Sequence, residues 1–278
     1  MGTEQLMSDR TSPRSIAVGI DGSTAAINAA IWAAAEAHSR DIPLHLIHAI
    51  AEQQADAPPD EINLDRQYGE TALRAASAAV HATGQPVKVE TDMVLGSPAD
   101  VLIDESSHAA MVCVGSVGIG VLARKLLGST AEAVARHSLC PAAIIRTDHE
   151  YATRTDSDWI ALVVDDAPDN DAVLEHGFRQ ARLRNAPILA LGVWPWGFGE
   201  IPYEQLNHRL GQWVSRYPEV HVQPAAARRG AATFLTSTQE PVQLAVLGSA
   251  DADHVSKIVG PVSAHFGHSG CSVLVVRE

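Results

Sequence analysis

Gly115, Gly118, Gly128 and Ser129 form a G-x2-G-x9-G-S arrangement directly after the apolar run Ala109-Ala110-Met111-Val112-Cys113-Val114. A strand that feeds a glycine turn and then a helix can hold phosphate. Glycine lets backbone N–H groups converge on an anion, and the following helix adds the positive end of its dipole. The spacing is not that of a Walker A loop, and no G-x4-G-K-[ST] occurs in the chain. The plain alternative is a bare strand-to-helix turn rich in small residues.

The elements that must position this turn occur twice. Ile16-Ala17-Val18-Gly19-Ile20-Asp21 recurs as Ile160-Ala161-Leu162-Val163-Val164-Asp165, 144 positions later, and Pro43–Ile47 recurs as Pro187–Leu191 at the same offset. Val114-Gly115-Ser116 recurs as Leu247-Gly248-Ser249 at an offset of 133, and His137–Cys140 as His268–Cys271 at 131. A falling offset makes the second copy shorter, with about eleven residues missing between its second and third strands. Internal duplication decides the architecture before any local reading, and here it gives two domains of ordinary size. The expected division is a disordered tail at 1–14, a domain at 15–148, a polar linker at 149–158 and a domain at 159–278.

Within the first half, apolar runs predict strands at Ile16–Ile20, Leu44–Ala49, Val87–Met93, Met111–Val114 and Ala142–Arg146. Helices are expected from a Ser23 or Thr24 cap to about Ser39, over Asp60–Ala82, after the capping box Ser97-Pro98-Ala99-Asp100, and over Ser129–His137. The second half predicts strands at Trp159–Val164, Pro187–Val193, Val220–Pro224, Gln243–Leu247 and Ser272–Arg277. Its helices are expected from an Asp169 or Asn170 cap to about Asn185, and over Ala231–Ser237. Continuous apolar strands alternating with helices imply α/β architecture, with parallel sheets covered on both faces.

Composition narrows the function classes. Lys+Arg is 20 and Asp+Glu is 33, a formal net charge of −13. Broad nucleic-acid binding needs a basic footprint and is not expected, but a local nucleotide site is compatible with an acidic chain. No apolar run approaches the ~18–20 residues of a membrane helix. Met1–Arg14 carries no apolar core of a signal peptide, so a cytoplasmic protein is expected. Cys113, Cys140 and Cys271 show no C-x-x-C spacing and read as small buried hydrophobes. His265-x2-His268-x2-Cys271 has metal-like spacing, but the repeat accounts for it and no metal is expected.

With these residues in view, both halves resemble universal stress protein domains in tandem form. The resemblance covers nearly the whole chain beyond the tail. It implies two tandem open five-stranded parallel sheets, ordered 3-2-1-4-5, of adenine nucleotide alpha hydrolase-like fold. It also implies ATP, with Mg2+, at the carboxyl ends of the strands where the order reverses. Asp21 then corresponds to the acidic residue that accepts hydrogen bonds from the ribose, with helix capping as its other reading. Ala49 reads adenine through its backbone, and Val94 lines the adenine pocket. Gly115, Ser116 and Gly118 wrap the phosphates, and Gly128, Ser129 and Thr130 close on them. Arg124 and Lys125 either neutralise phosphate or form an ordinary solvated pair. Pairing of the fifth strands implies an intramolecular pseudo-dimer, which can itself dimerise.

The second half departs from the pattern. Asp251 stands where Gly118 stands, Gly260 follows after nine residues rather than ten, and Pro261 replaces Ser129. An aspartate repels phosphate, and proline removes an N–H. One ATP per chain is therefore expected, in the first half, with Trp194–Phe198 filling the second pocket or forming a partner patch. The role implied is a nucleotide-dependent stress-response regulator with a protein partner of unknown kind, and no dedicated catalysis. Two other readings stand beside it. A slow ATPase or autophosphorylating enzyme needs a base and a metal-holding carboxylate that these loops lack. An NAD-binding oxidoreductase would use Gly118-Ile119-Gly120-Val121-Leu122-Ala123, but that run follows the fourth strand instead of the first.

Overall fold

A computed structural model describes residues 14–50, 59–118, 127–146, 158–193, 203–260 and 270–277. The tail, most of the linker, Arg124, Lys125 and Trp194–Phe198 lie outside the described residues. The strands of the first half are β1 (Ile16–Gly19), β2 (Leu44–Ile50), β3 (Val89–Leu95), β4 (Met111–Gly115) and β5 (Ala142–Ile145). Those of the second are β6 (Trp159–Val164), β7 (Ile188–Gly192), β8 (Val222–Ala226), β9 (Val242–Gly248) and β10 (Ser272–Val276). Each half keeps the order 3-2-1-4-5, but the two expected sheets are halves of one. β5 and β10 pair antiparallel, giving a ten-stranded sheet ordered β3-β2-β1-β4-β5-β10-β9-β6-β7-β8. The physical reason is edge protection: the last strand of each half is fully buried and apolar, and each satisfies the other's free edge.

The helices form two layers. α1 (Thr24–Arg40), α2 (Pro59–Ala82), α5 (Asn170–Arg184) and α6 (Tyr203–Arg216) cover one face. α3 (Pro98–Glu105), α4 (Ser129–His137), α7 (Ala231–Leu235) and α8 (Val255–Val259) cover the other. A 3-10 turn at Ser249–His254 leads into α8. α1 is rich in alanine because it lies close over the middle of the sheet, and Ala29, Ala30, Ala33, Ala34 and Ala37 are fully buried. Ser23 caps its start, accepting the Ala26 N–H at 3.1 Å. Asp41 ends it in the left-handed region at φ 53°.

Two helices were not among the sequence expectations, α6 and the short α8. α6 buries Leu206, Leu210 and Trp213, and Trp213 stacks on Phe178 with ring centroids 6.0 Å apart. The shortening of the second copy falls here, since α6 has 14 residues where α2 has 24. β3 starts at Val89 rather than Val87, and β8 is displaced to Val222–Ala226. The outer rims differ in chemistry: β3 carries Glu90 and Asp92 beside Lys88, and β8 contains Pro224. Among the described residues no helix is long and apolar enough to cross a membrane.

The halves meet around an approximate two-fold axis. Ala143 of β5 faces Leu274 of β10 across the antiparallel pair, and the two are repeat equivalents at the offset of 131. Above them α1 packs on α5, and Glu36 meets Gln180, equivalents at the offset of 144. On the opposite layer Arg146, just past β5, donates to the carbonyls of Val259 and Gly260 at 3.2 and 3.0 Å. Its repeat equivalent Arg277 donates to Ser138 Oγ at 3.0 Å and to the Ala135 carbonyl.

Candidate functional site

A cavity of about 350 Å3 opens at the carboxyl ends of β1, β2 and β4. Its size suits a small-molecule ligand, for which pockets of ~300–1,000 Å3 are usual. It sits where the strand order reverses, with β2 on one side of β1 and β4 on the other. In an open α/β sheet the two flanking connections leave in opposite directions there, and a crevice results.

Three chemistries meet around it. The wall under β1, β2 and α3 is apolar: Ile20, Ile47, Ala49 and Leu102. At one rim Asp21 accepts the Ser23 N–H on Oδ1 at 2.9 Å, a bond that fixes the turn before α1, whose cap is Ser23 itself. The other carboxylate oxygen lies toward Gly118: a Cβ built there would come within 2.6 Å of Asp21 Oδ2. At the far rim Gly128 begins α4 without a side-chain cap, and its N–H donates to the Ser116 carbonyl at 2.8 Å. The first intrahelical bond is Glu132 N–H to Gly128 carbonyl at 2.9 Å. The N–H groups of Ser129, Thr130 and Ala131 therefore have no partner within the helix, and all three residues line the cavity. The arrangement offers an apolar slot, a carboxylate acceptor and a row of N–H donors at the positive end of a helix.

Gly115 has a packing reason of its own. A Cβ there would lie 2.6 Å from the backbone carbon of Ala25 and 2.7 Å from its Cβ. The absence of a side chain lets the start of α1 settle onto β4, which closes the inner end of the cavity. Gly22 adopts φ +84° under the Tyr68 hydroxyl, which donates to the Asp21 carbonyl at 2.8 Å. His48, buried on β2, has Nδ1 2.7 Å from the Ile20 carbonyl, so Nδ1 carries the donated proton. Tyr68 and His48 together fix the turn that presents Asp21.

Of the nine residues predicted for the site, Asp21, Ala49, Gly115, Gly118, Gly128, Ser129 and Thr130 come together in the lining. Ser116 does not: its side chain is buried, and it contributes a carbonyl to Gly128 from behind. Val94 is a correction. It pairs with Ala49, but β3 is the edge strand and the Val94 side chain faces an outer groove with Ile103 and Leu139. His48, Leu102 and Pro98 line the cavity without having been anticipated. Strand alternation could have suggested His48, two residues beyond the core residue Leu46.

The second half keeps the first turn and loses the rest. Asp165 Oδ1 accepts the Ala167 N–H at 2.8 Å, matching Asp21 with Ser23. Burial, aided by the neighbouring carboxylates of Asp169 and Asp251, holds Asp165 above the usual carboxylate range. Gly260 ends α8, whereas its counterpart Gly128 starts α4. Its carbonyl accepts Arg146, so what it presents at this point is an acceptor.

The chain belongs to the universal stress protein family. The model of the Universal stress protein family matches residues 13–146. The universal stress protein Rv2624c of Mycobacterium tuberculosis is 46% identical over 276 residues, covering 98% of this chain and 100% of that protein. Universal stress protein Rv2028c of the same organism is 37% identical, covering 98% and 99%. Among solved structures, a universal stress protein from Archaeoglobus fulgidus superposes with a TM-score of 0.69 over 95% of this chain and 96% of that one. Its 16% identity makes that a likeness of fold.

Proposed function

We propose that this universal stress protein binds one adenine nucleotide per chain, ATP with Mg2+, in the cavity of its first half. In this reading occupancy regulates its contacts with a cytoplasmic protein partner in a stress response. The observation that carries the proposal is the opposition of Asp21 to the bare start of α4 across an apolar slot. Adenine and ribose are matched by Ile47, Ala49 and Asp21, and the phosphates by Gly118, Gly128, Ser129 and Thr130. Asp21 is the carboxylate of the described lining, and among the described residues no cluster of three metal-ligating side chains occurs. Mg2+ would thus be carried mainly by the phosphates and water, as is common for this ion. That same poverty of carboxylates supports a binding role over dedicated phosphoryl transfer.

Calorimetric titration of the intact chain with Mg-ATP tests the reading. One site per chain is expected, weakened about tenfold or more by Gly118→Asp. Two equivalent sites, or full affinity in that variant, would overturn it.

A further inference from the structure

The two halves are joined at an axis where repeat equivalents face each other, and both facing pairs are unlike. Glu36 meets Gln180, and Ala143 meets Leu274. In a symmetric pairing each position would meet its own copy. Here one partner is charged and one neutral, one small and one large.

The charged pair is a directional chain. Arg184 Nε donates to Gln180 Oε1 at 3.0 Å, the Gln180 amide donates to Glu36 Oε1, and Arg40 Nε donates to Glu36 Oε2 at 2.9 Å. Glu36 is 2% exposed and Gln180 fully buried. Burial pushes the Glu36 carboxyl up, but Arg40, Arg184 and the Gln180 hydrogen bond outweigh it and hold it below the usual range. Arg184 also stacks on Trp32, 4.3 Å from the ring centroid. His176 is kept neutral, down at about 4, first by burial and then by Arg40. Cys113 lies near Glu36 from the sheet side and is held protonated, first by burial.

Substituting like for like breaks this in three ways. Two glutamates on the axis have oxygen facing oxygen with no proton between them, and one must take up a proton to relieve it. Two glutamines remove the buried carboxylate that Arg40 and Arg184 both stabilise, and the loss of a buried charge partner is costly. Beneath them, two alanines leave a void and two leucines overfill the layer.

We propose that this axis is a partner-discriminating surface: each half accepts the opposite half of a universal stress protein chain and rejects a second copy of itself. Glu36 with Ala143 and Gln180 with Leu274 are the determinants. The arrangement builds selectivity from contacts that penalise the wrong partner as well as favouring the right one.

The intact chain can imitate each forbidden pairing. Gln180→Glu with Leu274→Ala makes the second half resemble the first, and Glu36→Gln with Ala143→Leu does the reverse. Each double variant should lower Tm by roughly 5 °C or more. All four substitutions together exchange the determinants and should regain most of the loss, because Arg184 stands to residue 180 as Arg40 stands to residue 36. A fourfold variant no more stable than the doubles would overturn the proposal. If a leucine variant fails to fold, the charge pair decides alone. Gln180→Glu should be less stable than the parent at pH 8 and recover toward it at pH 5, since its raised carboxyl pKa makes stability fall as pH rises. Adding Glu36→Gln should restore it at pH 8. Equal stability of Gln180→Glu and parent at pH 8 would refute the charge rule.

Discussion

Gly115 and Gly248 are the same position in two copies of one domain, and the structure treats them differently. A Cβ at Gly115 would strike the backbone of Ala25 at 2.6 Å, whereas at Gly248 the nearest atom is Val173 Cγ2 at 3.7 Å, an ordinary contact. In the first half the start of α1 presses on the end of β4 and a cavity forms beside it. In the second half that pressure is gone, and a 3-10 turn and α8 occupy the ground after β9. The difference teaches that a retained glycine does not mean a retained site. What defines the site is the close approach the glycine permits, together with a helix that begins at the next glycine.

The sharpest way to break this contrast is to give the first half the second half's residue. Gly118→Asp places a carboxylate against Asp21 and in the path of phosphate. Repulsion between charges ~4 Å apart is worth about 1–4 kcal/mol in exposed to partly buried surroundings. Nucleotide affinity should fall about tenfold to a thousandfold, read by calorimetry, with the circular dichroism spectrum unchanged. Next in size, Gly115→Ala should cost about 1–3 kcal/mol in denaturant unfolding because α1 must move. Gly248→Ala should stay within about 0.5 kcal/mol. Equal costs would erase the distinction between the two glycines.

A smaller effect is expected at His45, whose repeat counterpart is the buried Leu189. Its two ring nitrogens lie 3.2 Å from Glu105 and 2.7 Å from Asp92. Only the imidazolium can donate from both. The Glu105 hydrogen bond, then that of Asp92, raises the His45 pKa against an opposing effect of burial. The stability this clamp adds is therefore complete below the unfolded pKa of about 6.5. It is lost as pH rises through the higher folded value. His45→Gln should remove about 0.2–1 kcal/mol at pH 5.5 and less at pH 9. Pairs of unfolding curves at the two pH values would check the sign. The smallest expected effect is none: Asp251→Gly should not create a second nucleotide site in titrations, because α8 still ends where α4 begins.

The strands were legible because buried parallel strands are plain apolar runs, the duplication showed that they occur in two sets, and their order within each set came from the family resemblance. The capped starts of α1 and α3 were equally plain: Ser23 accepts the Ala26 N–H and Ser97 the Asp100 N–H as the residue types imply. α6 was missed although Leu206, Leu210, Trp213 and Tyr217 keep helical spacing. Its polar face leaves no apolar run, and no capping box marks its start. Val94 shares a face with Ala49, its partner in register, but lies one strand further from the point where the order reverses, so it borders a groove beside α3 and not the cavity. The merger into one sheet follows from the expected pairing of the two fifth strands, β5 with β10, which are matched apolar edges. Seven of the nine site residues converged because they sit at the carboxyl ends of β1, β2 and β4, in the turns that follow, or at the start of α4.

The rims of the ten-stranded sheet set a limit on growth. In the language of polymer chemistry, a strand with a free edge is a reactive end, and a molecule with two of them can chain indefinitely. Here the two inner ends have consumed each other in the β5–β10 pair. Of the outer ends, β8 is blocked by Pro224, which lacks the N–H that a further strand would need. β3 carries the charged groups Glu90 and Asp92 beside Lys88 along its rim, which blunt it against pairing with a further strand. Among the described strands, none is left as a reactive end that favours adding a further strand.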